Sequence, residues 1–277
     1  MAASKKSVGL DNLVALGAPR LAAILVDLAA GNAEVKRRLR LELAGQVGED
    51  DIAAEIGKRL TTLRSARSFI DWRKRKDFVR DLDLQRAMIA DRLAATRPDL
   101  ALDLMWRFLD LAGPVLDRVD DSNGSVGGVF RIARADLGVI ATKAKPDPVS
   151  FAERALAALL ANDYGIYDGL VPVMLPVLGD AGIEHLKRRL APASSGRKVG
   201  SRDRHADAAR RALQEIADGQ SDVDAYIALV PADEQSRPHT GAEIGRRLLA
   251  AGRAAEALAA LEAARPKRQR AIRSRDD

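Results

Sequence analysis

Residues Leu100 to Val119 read LALDLMWRFLDLAGPVLDRV, and the reading of this stretch decides the fold. Apolar side chains stand at Leu100, Leu102, Leu104, Met105, Trp106, Phe108, Leu109, Leu111, Ala112, Val115, Leu116 and Val119, which leaves a helix only a narrow polar strip. A helix apolar on most sides is covered by neighbours on most sides. At about 20 residues it matches the length of a membrane span, but Asp103, Arg107, Asp110, Asp117 and Arg118 interrupt it. The spacing therefore predicts the central helix of a soluble, all-helical array. Pro114 cannot donate to the carbonyl four residues back and its ring crowds that carbonyl, so a kink is expected near Gly113-Pro114.

The composition agrees with helices. The chain has 277 residues, 47% of them hydrophobic but only 4% aromatic, so its core must be built from Leu, Ala, Val and Ile. It has no cysteine, which excludes disulfides, thiolate metal sites and cysteine nucleophiles. His185, His205 and His239 are never three or four residues apart, so no helix presents an imidazole pair, and neither a metal nor a cofactor is expected. Lys5 and Lys6 precede an apolar stretch as in a signal peptide, but Asp11, Pro19-Arg20 and Asp27 break it; the plain expectation is a cytoplasmic protein without membrane association.

The net charge of +6 raises nucleic acid as a partner, and its distribution weakens that reading. The tail 265–277, RPKRQRAIRSRDD, holds six Lys/Arg and two Asp and so carries +4 of the total, leaving +2 for the body.

Outward from the central stretch the chain reads as paired helices. Asn12 to Ala30 has Leu21, Ile24, Leu25 and Leu28 as its stripe, and Ala33 to Gln46 follows. Lys36, Arg37, Arg38 and Arg40 on that second helix read as a solvated face ahead of a phosphate site. Asp50 or Asp51 is expected to cap a third helix, whose Lys58, Arg59 and Arg64 should point outward. Ser68 is expected to cap a long helix, SFIDWRKRKDFVRDLDLQRAMIADRL, with Phe69, Trp72, Val79, Leu82, Ile89 and Leu93 turned to the core and Phe78 and Leu84 at the edges. Its basic run Arg73-Lys74-Arg75-Lys76 lies among Asp71, Asp77, Asp81 and Asp83, which should cancel its field.

Asp120-Asp121-Ser122-Asn123-Gly124 has the look of a calcium loop, but a loop with Gly124 sixth would begin at Val119 and end at Phe130, neither of which ligates a hard cation. An Asx-type turn capping Val126 to Ala141 accounts for the same residues. KAKPDP at 143–148 is a linker-like break. Asn162 to Gly169, NDYGIYDG, is a polar loop with two of the three tyrosines, read chiefly as a rigid turn. The Ser/Gly/Arg-rich 192–204 lacks the spacing of a phosphate-binding P-loop. Near the end, Ile244-Gly245, Leu248, Gly252, Ala257 and Leu261 stand where one tetratricopeptide hairpin carries its packing and turn positions. A lone copy must lean on other helices.

Four stretches together carry a resemblance: RSFIDWRKRKDFVRDLD at 67–83, ALDLMWRFLDLAGPVLDRVDDSNGSVGGVF at 101–130, ADLG at 135–138 and NDYGIYDGLV at 162–171. Over roughly residues 18–264 the chain resembles a bacterial family of all-helical domains of unknown function, rich in Ala and Arg. The resemblance implies an α-helical fold and no particular chemistry. Relatives with further hairpins where this chain enters its tail imply a C-terminally shortened member.

The expected architecture is all-α, a solenoid-like array of antiparallel hairpins with a tetratricopeptide-like end. Its parts would be an array over 1–191, a flexible loop at 192–204, hairpins over 205–264 and a basic disordered tail at 265–277. The leading functional expectation is a non-catalytic scaffold offering a concave surface to a protein or peptide. Partner contacts are expected at Arg73, Arg75, Lys76, Tyr164, Tyr167 and Asp168. The alternative is a nucleic-acid-associated protein using the KRR clusters at 36–38 and 187–189, the 73–76 run and the tail. An enzyme ranks third and would require Asp120 and Asp121 to meet Tyr164, Tyr167 and Asp168.

Overall fold

The computed structural model describes residues 7–194 and 204–265. The 265–277 tail past Arg265, and 195–203 of the expected loop, lie outside the described residues. The chain is all-α. Its helices are α1 (Leu10–Val14), α2 (Ala18–Gly31), α3 (Ala33–Val47), α4 (Glu49–Ser65), α5 (Trp72–Ala87), α6 (Ala94–Thr96), α7 (Pro98–Leu109), α8 (Ala112–Leu116) and α9 (Ser125–Ala144). They continue as α10 (Pro148–Leu160), α11 (Leu170–Ser194), α12 (Arg204–Gly219), α13 (Val223–Ala228), α14 (Ala232–Gln235), α15 (Pro238–Ala250) and α16 (Ala254–Ala263). Met88–Leu93, between α5 and α6, is wound as a π-helix. Among the described residues the nearest thing to a sheet is one parallel bridge, Ile70 with Val119.

Two compact units meet at Ala144 and Lys145, inside the KAKPDP break. The helices flanking 192–204, α11 and α12, pack along each other within the second unit.

In the first unit the central segment is buried as its pattern demands. Ala101, Leu102, Leu104, Met105, Trp106, Phe108, Leu109, Leu111, Ala112, Val115 and Val119 are all buried, with α7 held between α4 and α9. Phe108 and Phe130 meet at 5.4 Å between ring centroids. The helix breaks at Asp110-Leu111, ahead of the proline itself, because Asp110 owns the carbonyl that Pro114 can neither satisfy nor avoid. Arg118, part of the expected polar strip, is buried. It donates to the carbonyls of Leu63 (3.3 Å) and Ser68 (3.1 Å), closing the C-terminus of α4, and burial pushes its guanidinium pKa down.

Three local expectations need correction. Asp71, not Ser68, caps α5: its carboxylate accepts from Arg73 N (2.9 Å) and Lys74 N (3.2 Å). The Ile70–Val119 bridge keeps the residues just before Asp71 out of the helix, with Ile70 N donating to Arg118 O at 2.9 Å and Asp120 N to Ile70 O at 3.1 Å. Asp50 and Asp51 lie in the first turn of α4, after the cap position at Gly48, where they favour the positive end of its dipole. On α2, Leu21 and Ile24 are half-buried, but Leu25 and Leu28 remain exposed.

In the second unit Asp147 caps α10, accepting from Ser150 N at 2.8 Å. The stretch after Leu170 runs as one element kinked at Gly179 (φ 52°). Arg247 of α15 grips Asp218 of α12 through two bonds of 2.6 and 2.7 Å and lies 3.7 Å from the Tyr226 ring centroid. Arg246 and Arg247 hold the Glu243 carboxyl down to about 2. The α15–α16 hairpin turns at Gly252 (φ 77°) and closes tightly over Gly241 and Gly245.

That closeness makes a prediction. A Cβ at Gly241 would stand 2.1 Å from Ala264 Cβ and 3.2 Å from the Ala260 carbonyl, so the helices must part. Gly241→Ala is expected to destabilise the hairpin by about 1–3 kcal/mol. At Gly245 the nearest atom is the Leu261 side chain at 3.1 Å, which can yield, so Gly245→Ala should cost less. Thermal melts of the two variants, read by circular dichroism, check the order.

Candidate functional site

Two exposed aromatic side chains lie at the start of α5. The chain before Asp71 is outside the helix, so Ile70 is half-buried and Phe69 faces solvent at 64% exposure. The Asp71 cap makes Trp72 the first helical residue, and it is 62% exposed. Both were expected in the core. The helix begins later than the apolar period implies, and both aromatics are left facing solvent. The Arg73 guanidinium carbon lies 5.1 Å from the Trp72 ring centroid, and Lys76 follows Trp72 by one turn.

The acids expected to cancel this basic run are engaged elsewhere. Asp71 is consumed by capping, Asp77 pairs with Arg80 at 2.7 Å, and Asp83 with Arg86 at 2.6 Å. Asp81 is buried between Arg37 and Arg59. Lys74 and Lys76 make no ion pair among the described residues. Arg75 does different work. It donates to the Asp120 carbonyl (2.7 Å) and Ser122 Oγ (3.3 Å), bracing the following loop.

The sequence profile of a family of unknown function, DUF6880, matches residues 3–277. The chain belongs to that family. No curated protein and no solved structure matches it. In this DUF6880 member the two sets of expected partner residues fall in different units, Arg73, Arg75 and Lys76 in the first and Tyr164, Tyr167 and Asp168 in the second.

The second set is mostly structural in its contacts. Asn162 ties the loop, its Oδ1 accepting from Tyr167 N (3.0 Å) and its Nδ2 donating to Asp168 (2.8 Å). Gly165 and Gly169 take positive φ, and Gly169 N donates to Glu215 of α12 at 3.1 Å. Tyr167 is buried and Tyr164 is half exposed. In the first unit Asp121 accepts from Val126 N and Gly127 N at 2.8 Å each, so it caps α9, and Asp120 accepts from Ser122 N. The hydrogen bonds from Ser122, with Arg75 beside them, hold the Asp120 carboxyl below the usual range. The 187–189 cluster is also partnered: Lys187 with Glu184, Arg188 with His185, Arg189 with Glu153.

Among the described residues no group of three His, Asp or Glu side chains is placed to hold a metal, and no helix is long and apolar enough to cross a membrane.

Arg37 and Arg59, expected on solvated faces, instead turn inward to Asp81. Their period alone could not show this, because the acid that receives them sits on another helix.

Proposed function

We propose that this DUF6880 chain is a non-catalytic, cytoplasmic protein-interaction module, and that Phe69, Trp72, Arg73 and Lys76 receive an acidic peptide with apolar anchors. The observation that carries the reading is the exposure of Trp72 beside Phe69. Tryptophan is highly buried on average, and Trp and Arg are among the residues enriched at binding hot spots. The surrounding free cations select the charge of the partner, since complementary potential speeds encounter and rejects basic partners. In the second unit the α15–α16 hairpin, with Gly245 against Leu261 and Ala257 buried, supports a tetratricopeptide-like, repeat-built scaffold.

The test is affinity capture with the wild-type chain and with Phe69→Ala/Trp72→Ala, both first shown to melt alike. A partner is expected to be retained by the wild type, lost from the variant by about tenfold or more, and displaced by a Glu-rich peptide containing Phe or Leu. Equal retention by both chains would overturn the proposal. Saturable, Trp72-dependent anisotropy with short DNA or RNA, falling steeply with salt, would replace the peptide by a nucleic acid.

A further inference from the structure

Beside the apolar contact of α3 and α4, charged side chains of both helices gather around one concavity. Lys36, Arg37 and Arg40 recur at one-turn spacing on α3, and Lys58 and Arg59 project from α4. Together they line a cavity of about 360 Å³. Two carboxylates oppose these five cations. Glu55 is taken by Lys58 at 2.6 Å, and Asp81 accepts from Arg37 Nε at 2.9 Å and Arg59 Nε at 3.0 Å. The Asp81 bonds orient the two guanidiniums without occupying the Nη groups of Arg37. Lys36 and Arg40 make no ion pair among the described residues. A positive excess therefore converges on one concavity.

The second observation is independent of charge. Gln85, one turn beyond Asp81 on α5, also lines the cavity. It is 1% exposed, yet neither its Nε2 nor its Oε1 has a hydrogen-bond partner. Buried amides in native proteins are paired, and an unpaired one calls for an explanation. A ligand in the cavity supplies one. The amide donates through Nε2 and accepts through Oε1, so a group that can both accept and donate, such as a hydroxyl, is its complement.

We infer that this cavity binds a small phosphate monoester bearing a hydroxyl group next to its phosphoryl end. Arg37, Arg40 and Lys36 take the phosphoryl oxygens, and Gln85 reads the neighbouring hydroxyl. The volume lies at the low end of small-molecule pockets. A nucleic-acid backbone would instead follow cations strung along a surface, with no use for a buried amide. The site is separate from the Phe69–Trp72 surface and does not rest on it.

Calorimetry on the full chain, with glycerol 3-phosphate as probe and glycerol as the uncharged control, tests the assignment. Saturable 1:1 binding of the phosphate ester and none of glycerol is expected. Lys36→Ala/Arg40→Ala alters only exposed side chains and should weaken binding by at least about tenfold, equivalent to about 1.4 kcal/mol. Gln85→Leu should melt no lower than wild type, because it removes the unpaired amide, and should also weaken binding. Phe69→Ala/Trp72→Ala should leave the titration unchanged. No saturable heat, affinity undiminished in Lys36→Ala/Arg40→Ala or in a folded Gln85→Leu, or displacement of the probe by a tighter-binding short oligonucleotide would each overturn it.

Discussion

Replacing Trp106 with alanine is expected to cost about 3–5 kcal/mol and to lower the melting temperature of the first unit by on the order of 10 °C. The indole is 6% exposed in the segment that α4 and α9 enclose, and Leu102, Met105 and Leu109 around it are themselves buried. Interiors are packed to crystal-like density, so the space vacated by the ring cannot be refilled by small shifts of its neighbours. A domain holds only about 5–15 kcal/mol in reserve, which makes this loss a large fraction of the whole. Urea denaturation followed by circular dichroism measures it. A midpoint within experimental error of wild type would show that the core lies elsewhere. Trp72→Ala is the internal control, since its ring is mostly in water and its loss should move the midpoint little.

The contrast between the two tryptophans shows where sequence reasoning works. Around Trp106 nearly every position is apolar, so any helical phase buries it, and the fold class follows from this stretch alone. The break at Asp110 was legible to within a few residues, because Pro114 acts on a fixed carbonyl. The Asp121 cap was legible because Asx side chains act locally. Around Trp72 the outcome turns on where the helix begins. That start depends on Ile70 pairing with Val119, a contact between residues far apart in the chain, which no local period encodes. The cavity was missed for a related reason. Charged residues at helical spacing most often face water, and the reversal at Arg37 and Arg59 depends on Asp81 of a third helix. A signal was present in α5 itself: Asp81 and Gln85 stand one turn apart, beside Leu82 and Ile89, on the side that the apolar period assigns to the core.

Asp81→Ala should therefore be the most damaging single change to a charged residue in the first unit, at about 3–5 kcal/mol. The carboxylate is 2% exposed and holds Arg37 of α3 and Arg59 of α4 at once. Its removal leaves two half-buried guanidiniums facing each other with neither a counter-charge nor full hydration. Repulsion between them then pushes apart the helices that the carboxylate had joined. The partial exposure of both arginines, 31% and 20% of their side chains, places the loss toward the lower end of that range. The same argument fixes the sign of a rescue. Combining Asp81→Leu with Arg37→Met and Arg59→Met removes all three charges and should restore most of the stability, since a buried ionic cluster is worth little more than apolar side chains of similar volume. Urea midpoints of the single and triple variants decide the matter. A single variant within 1 kcal/mol of wild type, or a triple variant no better than the single, would mean that Asp81 is not what fastens α3 and α4 to α5.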